Sequence, residues 1–217
     1  MFTPPPDLDV PKDAHLRAVV YDANHAPYWQ AVLSVDERQR LDGFGAASRQ
    51  REFLSGRIAA RHLVADRLAC APEDVPLRVA DDGAVDVPGT SWHLSISHTG
   101  PSHTPRAVAI CALQPVGLDL EQIQPRSPRI RQFLFAPSDR ALPDALPYSE
   151  NSALLLCWTL KEAVLKARRS GFRCSPKAIR LSVDAATATA TAQVESTSWT
   201  LCYARWHDTW CAAAWQA

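Results

Sequence analysis

The sequence predicts an α+β protein in which each half of the chain carries one substantial helix and several mainly antiparallel strands. Three observations carry that prediction. Short runs of alternating apolar and polar residues recur along the chain, the period-two signature of half-buried strands. Two longer stretches, 49–69 and 152–171, repeat their apolar residues at helical spacing instead. The C-terminal residues 178–216 hold four alternating runs in succession, the pattern of an antiparallel meander.

The elements follow in order. "LRAVVYD" (16–22) reads as a strand. In residues 34–69 helical content is interrupted near Gly43 and Gly45, and the portion from Arg49 to Ala69 is the firmer helix, with Phe53, Leu54, Ile58, Ala65 and Leu68 as core contacts. After the turn-rich "DDGAVDVPGT" (81–90) come the strand "SWHLSISH" (91–98), the loop "PSHTPR" (101–106), the buried strand "AVAICAL" (107–113) and the strand "VGLDLE" (116–121). The proline-dotted stretch 122–151 predicts loop with a short helix. "SALLLCWTLKEAVLKARRSG" (152–171) is a strong helix, closed by basic residues and Gly171.

Bulk properties narrow the function. A chain of 217 residues can bury one large core or two small ones. Lys plus Arg and Asp plus Glu stand at 23 each, which argues against broad nucleic-acid binding. No apolar run approaches the ~20 residues of a membrane helix, and the N-terminus lacks a basic-then-apolar leader pattern. Six cysteines are scattered without metal-type or redox-type spacing, as small core residues would be in a reducing compartment. A cytoplasmic protein without a membrane association is the expectation. The abundance of arginine over lysine suits phosphate, although a GC-rich genome produces the same bias.

Three constellations carry chemistry. In "VGLDLE" Asp119 and Glu121 share one strand face, where like charges resist joint ionisation unless a cation sits between them. In "WTLKEAVLKA" Glu162 and Lys166 stand four apart on a helix, with Lys161 alongside. Taken singly, the first reads equally as carboxylates in water and the second as a solvated ion pair. Together, three carboxylates form the hard oxygen set that magnesium accepts, with two lysines for phosphates. In "HLSISH" Ser97 and His98 point to opposite faces of a strand, so they are poorly placed as nucleophile and base. His98 reads as structural or as a phosphate donor. Arg51, Arg57 and Arg61 line one helix, and a solvated basic face accounts for them equally well.

In this order, "SISH" (95–98), "VGLDLE" (116–121) and "WTLKEAVLKA" (158–167) resemble the three motifs of the 4′-phosphopantetheinyl transferases, with the spacing of the larger, surfactin-type monomers and over most of the chain. The resemblance implies a pseudo-dimer of two similar α+β halves, residues 1–114 and 115–217. It implies transfer of the phosphopantetheine arm of coenzyme A to a serine of an apo carrier protein, with release of 3′,5′-ADP, as in holo-acyl-carrier-protein synthases. Asp119, Glu121 and Glu162 would hold Mg²⁺ against the pyrophosphate. Lys161, Lys166, Ser97 and His98 would meet phosphate oxygens, Lys166 acting with Glu162 in catalysis. Arg61 would grip the 3′-phosphate, with Arg51 and Arg57 as companions. Glu162, or a water on the metal, would accept the serine proton. Carrier proteins of this type are acidic, and "PRSPRIRQ" (125–132), with Phe133, Leu134 and Phe135 beside it, is a candidate docking edge. Core burial explains the three apolar residues equally well.

The chain departs from the family where "DDGAVDVPG" has Ala84 and Val85 in place of a basic residue and proline after Gly83, and where Ser95 replaces an asparagine. Two rivals remain: an unrelated magnesium enzyme acting on a pyrophosphate, and an inert module of the same fold that binds coenzyme A or a carrier protein.

Overall fold

A computed structural model describes residues 1–100, 104–127 and 129–216. Pro101–His103 of the expected loop and Pro128 of the basic stretch lie outside the described residues. The fold is α+β, and its contacts divide the chain into two compact units, Met1–Pro5 with Lys12–Leu113, and Pro6–Pro11 with Gln114–Ala217.

The first unit holds strands β1 (Phe2–Thr3), β2 (His15–Val20), β3 (Arg78–Val79), β4 (Val85–Asp86), β5 (His93–His98) and β6 (Arg106–Ala112), with helices α1 (Ala26–Val32), α2 (Val35–Asp42) and α3 (Ala47–Leu68). Its main sheet is antiparallel in the order β1-β2-β6-β5. The 22-residue α3 lies against β6, β2 and β5, burying Leu54, Ile58, Ala59 and Val64 on Val19, Ala109 and Cys111. The sequence reading has no counterpart of α1, whose short apolar pattern places Trp29 in the same core. The turn-rich 81–90 stretch forms a small hairpin of β3 and β4, and Gly83 sits at its turn with φ +82°. That duty of Gly83 is a conformational one.

In the second unit follow β7 (Val116–Gln122), α4 (Arg129–Leu134), α5 (Glu150–Ala167), β8 (Arg180–Asp184), β9 (Thr189–Val194), β10 (Thr197–Trp206) and β11 (Thr209–Gln216). The sheet order is β7-β11-β10-β9-β8, antiparallel throughout. The meander β8–β11 thus appears as the alternation predicts, and its return strand β11 pairs β7. Helix α5 crosses β7 and β11, and Leu156, Leu160 and Val164 are buried with Leu201, Trp210 and Ala212. The indole of Trp210 donates to Ser152 O at 2.8 Å, pinning the first turn of the helix to the sheet.

Helix α5 ends four residues before Gly171. Arg169 takes the left-handed conformation (φ 54°), with Arg169 N donating to Lys166 O and Ser170 N to Leu165 O, at 3.0 and 3.1 Å. These two bonds make a Schellman stop in which arginine occupies the position glycine usually fills. The glycine signal was therefore read at the wrong residue.

Candidate active site

Strand β7 presents Gly117, Asp119 and Glu121 to α5. The sequence reading gave β7 one buried face; both are buried, because the carboxylate face is the one the helix covers. Gly117 permits this. A Cβ there would stand 2.0 Å from Ala163 O and 2.4 Å from Ala167 N, so only glycine lets strand and helix backbones approach so closely. The signal in the sequence is the glycine itself, since a glycine inside an alternating strand marks close backbone approach.

That approach joins the two motifs. Lys166 Nζ on α5 donates to Asp119 Oδ1 at 2.8 Å. Asp119 is 7 % exposed in its side chain and Lys166 31 %. Glu121 is paired with Arg126 at 2.8 Å. Burial, and then the charge of Asp119, raise the carboxyl of Glu121 above the ordinary range, with Arg126 and Lys166 offsetting part of the rise. Burial and then Asp119 also raise Glu162. The three carboxylates therefore share one electrostatic field, in which Asp119 disfavours ionisation of the other two.

The chemistry of this donor set fits a hard divalent cation, since clustered, partly desolvated carboxylates lack sufficient positive charge. Among the described residues, however, no three His, Cys, Asp or Glu side chains are grouped as a bound metal would require. Asp119 is turned to Lys166 and Glu121 to Arg126.

Lys161 departs from its expected role. Its side chain is buried, 1 % exposed, and Nζ donates to Leu134 O, Pro176 O and Ile179 O, each at 2.8 Å. The ring of Phe135 lies 4.7 Å from the ammonium. Burial lowers its pKa to about 8. An ammonium has three protons, and these carbonyls take all three. Lys161 is a clip inside the unit.

Arg61 departs likewise. It is 1 % exposed, and Nε donates to Glu37 Oε2 at 2.7 Å while Nη1 donates to Pro72 O at 2.8 Å and reaches Val75 O at 3.2 Å. Nη2 stands 2.6 Å from the same carboxylate. Glu37 also closes a capping box on α2 with Ser34. In this structure Arg61 is a buried bolt joining α2, α3 and the turn at Pro72–Asp74. The capping box is legible as Ser34 three residues before Glu37, but nothing in it announces Arg61 as a partner of that acid.

Arg57, also buried, stands 3.4 Å from Glu37 Oε1 and 5.0 Å from the Phe53 ring. Among the described residues its Nη1 is buried without a hydrogen-bond partner. Burial lowers its pKa to about 10. Arg51 is half-buried, 5.9 Å from the Tyr21 ring. At the end of β5 Ser97 is buried, while the His98 ring faces Thr99 O at 3.2 Å and the buried Glu52 at 3.7 Å.

The proposed docking edge is reduced. Leu134 and Phe135 are core, and only Phe133 is exposed, its ring 5.8 Å from that of Trp158. Arg126 is held by Glu121, and Arg131 forms a two-pronged pair with Asp144 at 2.7 and 2.8 Å. Arg129 is exposed. No described helix is long and apolar enough to cross a membrane.

Comparison with known proteins agrees with this arrangement of motifs. Residues 115–215 match the 4′-phosphopantetheinyl transferase superfamily, and residues 44–112 match the 4′-phosphopantetheinyl transferase N-terminal domain. The chain belongs to the 4′-phosphopantetheinyl transferase family. It is 27 % identical over 151 residues to a Synechocystis protein whose name marks it provisionally as a 4′-phosphopantetheinyl transferase, covering 67 % of this chain and 60 % of that protein. It is 23 % identical over 145 residues to a Bacillus subtilis 4′-phosphopantetheinyl transferase, covering 65 % of this chain and 62 % of the relative. The matched region thus spans about three fifths of the length of these relatives.

Proposed function

We propose that this protein transfers the 4′-phosphopantetheine arm of coenzyme A to a serine of an apo carrier protein, in a magnesium-dependent reaction. The observation that carries the reading is the Lys166–Asp119 contact, which brings the "VGLDLE" and "WTLKEAVLKA" motifs together in a chain that belongs to the family. The serine Oγ forms a bond to the phosphorus that bears the pantetheine arm. The bond from that phosphorus to the bridging oxygen breaks, and 3′,5′-ADP departs with the electron pair. Glu162, whose carboxyl is raised above its ordinary range by burial and then by Asp119, takes the serine proton.

Asp119, Glu121 and Glu162 would hold the magnesium, and the ion supplies charge neutralisation for the pyrophosphate and the departing phosphate. Lys166 is the cation in the same field that reaches phosphate oxygens. Arg57, with donor capacity unspent at Nη1, would meet the 3′-phosphate of coenzyme A, with Arg51, Ser97 and His98 as further contacts. Location in the cytoplasm and action as a monomer complete the proposal.

The experiment is incubation with coenzyme A, Mg²⁺ and an apo carrier protein, following 3′,5′-ADP by chromatography. Release that requires both the carrier and Mg²⁺ is expected. Coenzyme A that binds and stays intact with every class of carrier would replace this reading with the inert binding module.

A further inference from the structure

We propose that Glu52 on α3 is a positioning residue for His98, holding the imidazole so that its outer nitrogen donates to a phosphate oxygen of coenzyme A. The identity of the ligand rests on the transferase reading above. The seating of the ring rests on geometry inside the first unit.

Ile96 and His98, two apart on β5, turn to the same face of the sheet, and α3 packs on that face. Gly56 is where the helix meets them. A Cβ there would stand 3.1 Å from Ile96 Cγ2 and 4.0 Å from His98 Cδ2, so the Cδ2 edge of the imidazole lies against the helix at this glycine. Glu52 stands one turn earlier on the same helix face, four residues before Gly56. On its other edge the ring has Nδ1 3.7 Å from Glu52 Oε2 and 3.2 Å from Thr99 O. The first is an ion-pair distance, longer than a hydrogen bond.

The carboxylate and the carbonyl at Nδ1 are both acceptors, so this nitrogen carries a proton. In a neutral ring Nε2 would then hold a lone pair, which a phosphate oxygen repels. An Nε2 that donates to phosphate belongs to an imidazolium, and a buried carboxylate beside it stabilises that charge. Glu52 suits this duty. Its side chain is 1 % exposed against 33 % for His98, so the acid is enclosed while the ring stays within reach of a ligand. Arg49, on the same helix and more than half exposed, takes Oε2 at 2.8 Å. Among the described residues Oε1 is buried without a hydrogen-bond partner. Arg49 therefore answers one oxygen from the surface and leaves the other with capacity to spare.

The test uses the full chain. With ring-¹⁵N histidine, nuclear magnetic resonance of the unaltered protein should show His98 Nδ1 protonated, and an unprotonated Nδ1 would overturn the proposal. Glu52→Gln keeps the volume and removes the charge. Its Kd for coenzyme A should rise ~10-fold in calorimetric titration. That rise should vanish in a His98→Ala background, because the acid acts through the ring. Glu52→Asp, which keeps the charge, should recover part of the loss. An equal loss with and without His98 would assign Glu52 to the packing of α3 alone and overturn its positioning role, as would a Glu52→Gln protein that binds coenzyme A like the parent. Should Glu52→Gln not fold, the same cycle built on Glu52→Asp decides, together with the Nδ1 proton. Carrier modification is followed alongside. If the unaltered chain modifies no carrier while the cycle shows coupling, only the transferase reading fails. If carriers are modified and the cycle shows no coupling, only the present inference falls, and a chain that binds no coenzyme A overturns both.

Discussion

Lys166 on α5 donates to Asp119 on β7 across 2.8 Å, spanning 47 residues of sequence. Asp119 is nearly buried, and burial first and then its charge raise the carboxyl groups of Glu121 and Glu162. Lys166 is thus the counter-charge of Asp119, and its charge also offsets part of the rise at Glu121 and Glu162. Replacement by methionine should lower turnover at least ~100-fold and destabilise the fold by ~1–3 kcal/mol, because a buried carboxylate loses its ionised donor. Steady-state kinetics and thermal melts check both. Full activity in a folded Lys166→Met variant would remove the lysine from the mechanism.

Gly117 sets the distance between β7 and α5. Gly117→Ala places a methyl where two backbone atoms of α5 already stand, at 2.0 and 2.4 Å, and neither can swing away as a side chain could. The expected cost is ~3 kcal/mol or more. Gly83→Ala should cost only about 1 kcal/mol, from its positive φ, with activity unchanged. A Gly117→Ala protein as stable and active as the parent would show that the close approach positions nothing.

Arg61 and Arg57 should separate cleanly. Arg61→Ala strands the buried Glu37 and is expected to cost ~3–5 kcal/mol. Arg57→Ala should disturb the fold less and weaken coenzyme A binding instead, read by calorimetric titration. An Arg61→Ala protein with a normal melting temperature and weakened coenzyme A affinity would restore Arg61 to the phosphate.

The contrast between these arginines shows how far the sequence was legible. Period-two alternation identified β7 and the meander β8–β11, although in β7 the carboxylate face is buried as well, beneath α5, and 3.6-residue spacing identified α3 and α5. Motif spacing brought Asp119, Glu121, Glu162 and Lys166 into one list. A list of residue types carries no depth, however. Lys161 and Lys166 differ by five positions on one helix, so the first turns into the unit and the second toward Asp119. Only the packing of α5 on its sheet decides which is which. The burial of Arg61 is illegible for the same reason, since its partners Glu37 and the carbonyls near Pro72 come from segments whose convergence no local pattern announces. Helix α1, seven residues long, offered too few turns for its period to stand out.

The cysteines give a pH-dependent prediction. Burial raises the thiols of Cys111, Cys157 and Cys202 to about 12, and that of Cys211 well above its ordinary value. The folded thiols keep their protons while unfolded ones lose them above about 9. Their contribution to stability is therefore complete below about pH 9 and is lost as the pH rises toward 12. At pH 8 a thiol reagent should modify only Cys70 and Cys174, which are partly exposed, until the chain is unfolded. Rapid modification of Cys111 or Cys157 in the native protein would contradict their placement in the cores.

The central claim is tested most directly by intact-mass measurement of an apo carrier protein after incubation with this protein and coenzyme A, with Mg²⁺ or with EDTA. A gain of one phosphopantetheine on the carrier, present with Mg²⁺, abolished by EDTA and absent with Glu162→Gln, is the predicted result. A carrier that keeps its mass under all three conditions, while the protein still binds coenzyme A, would contradict the account.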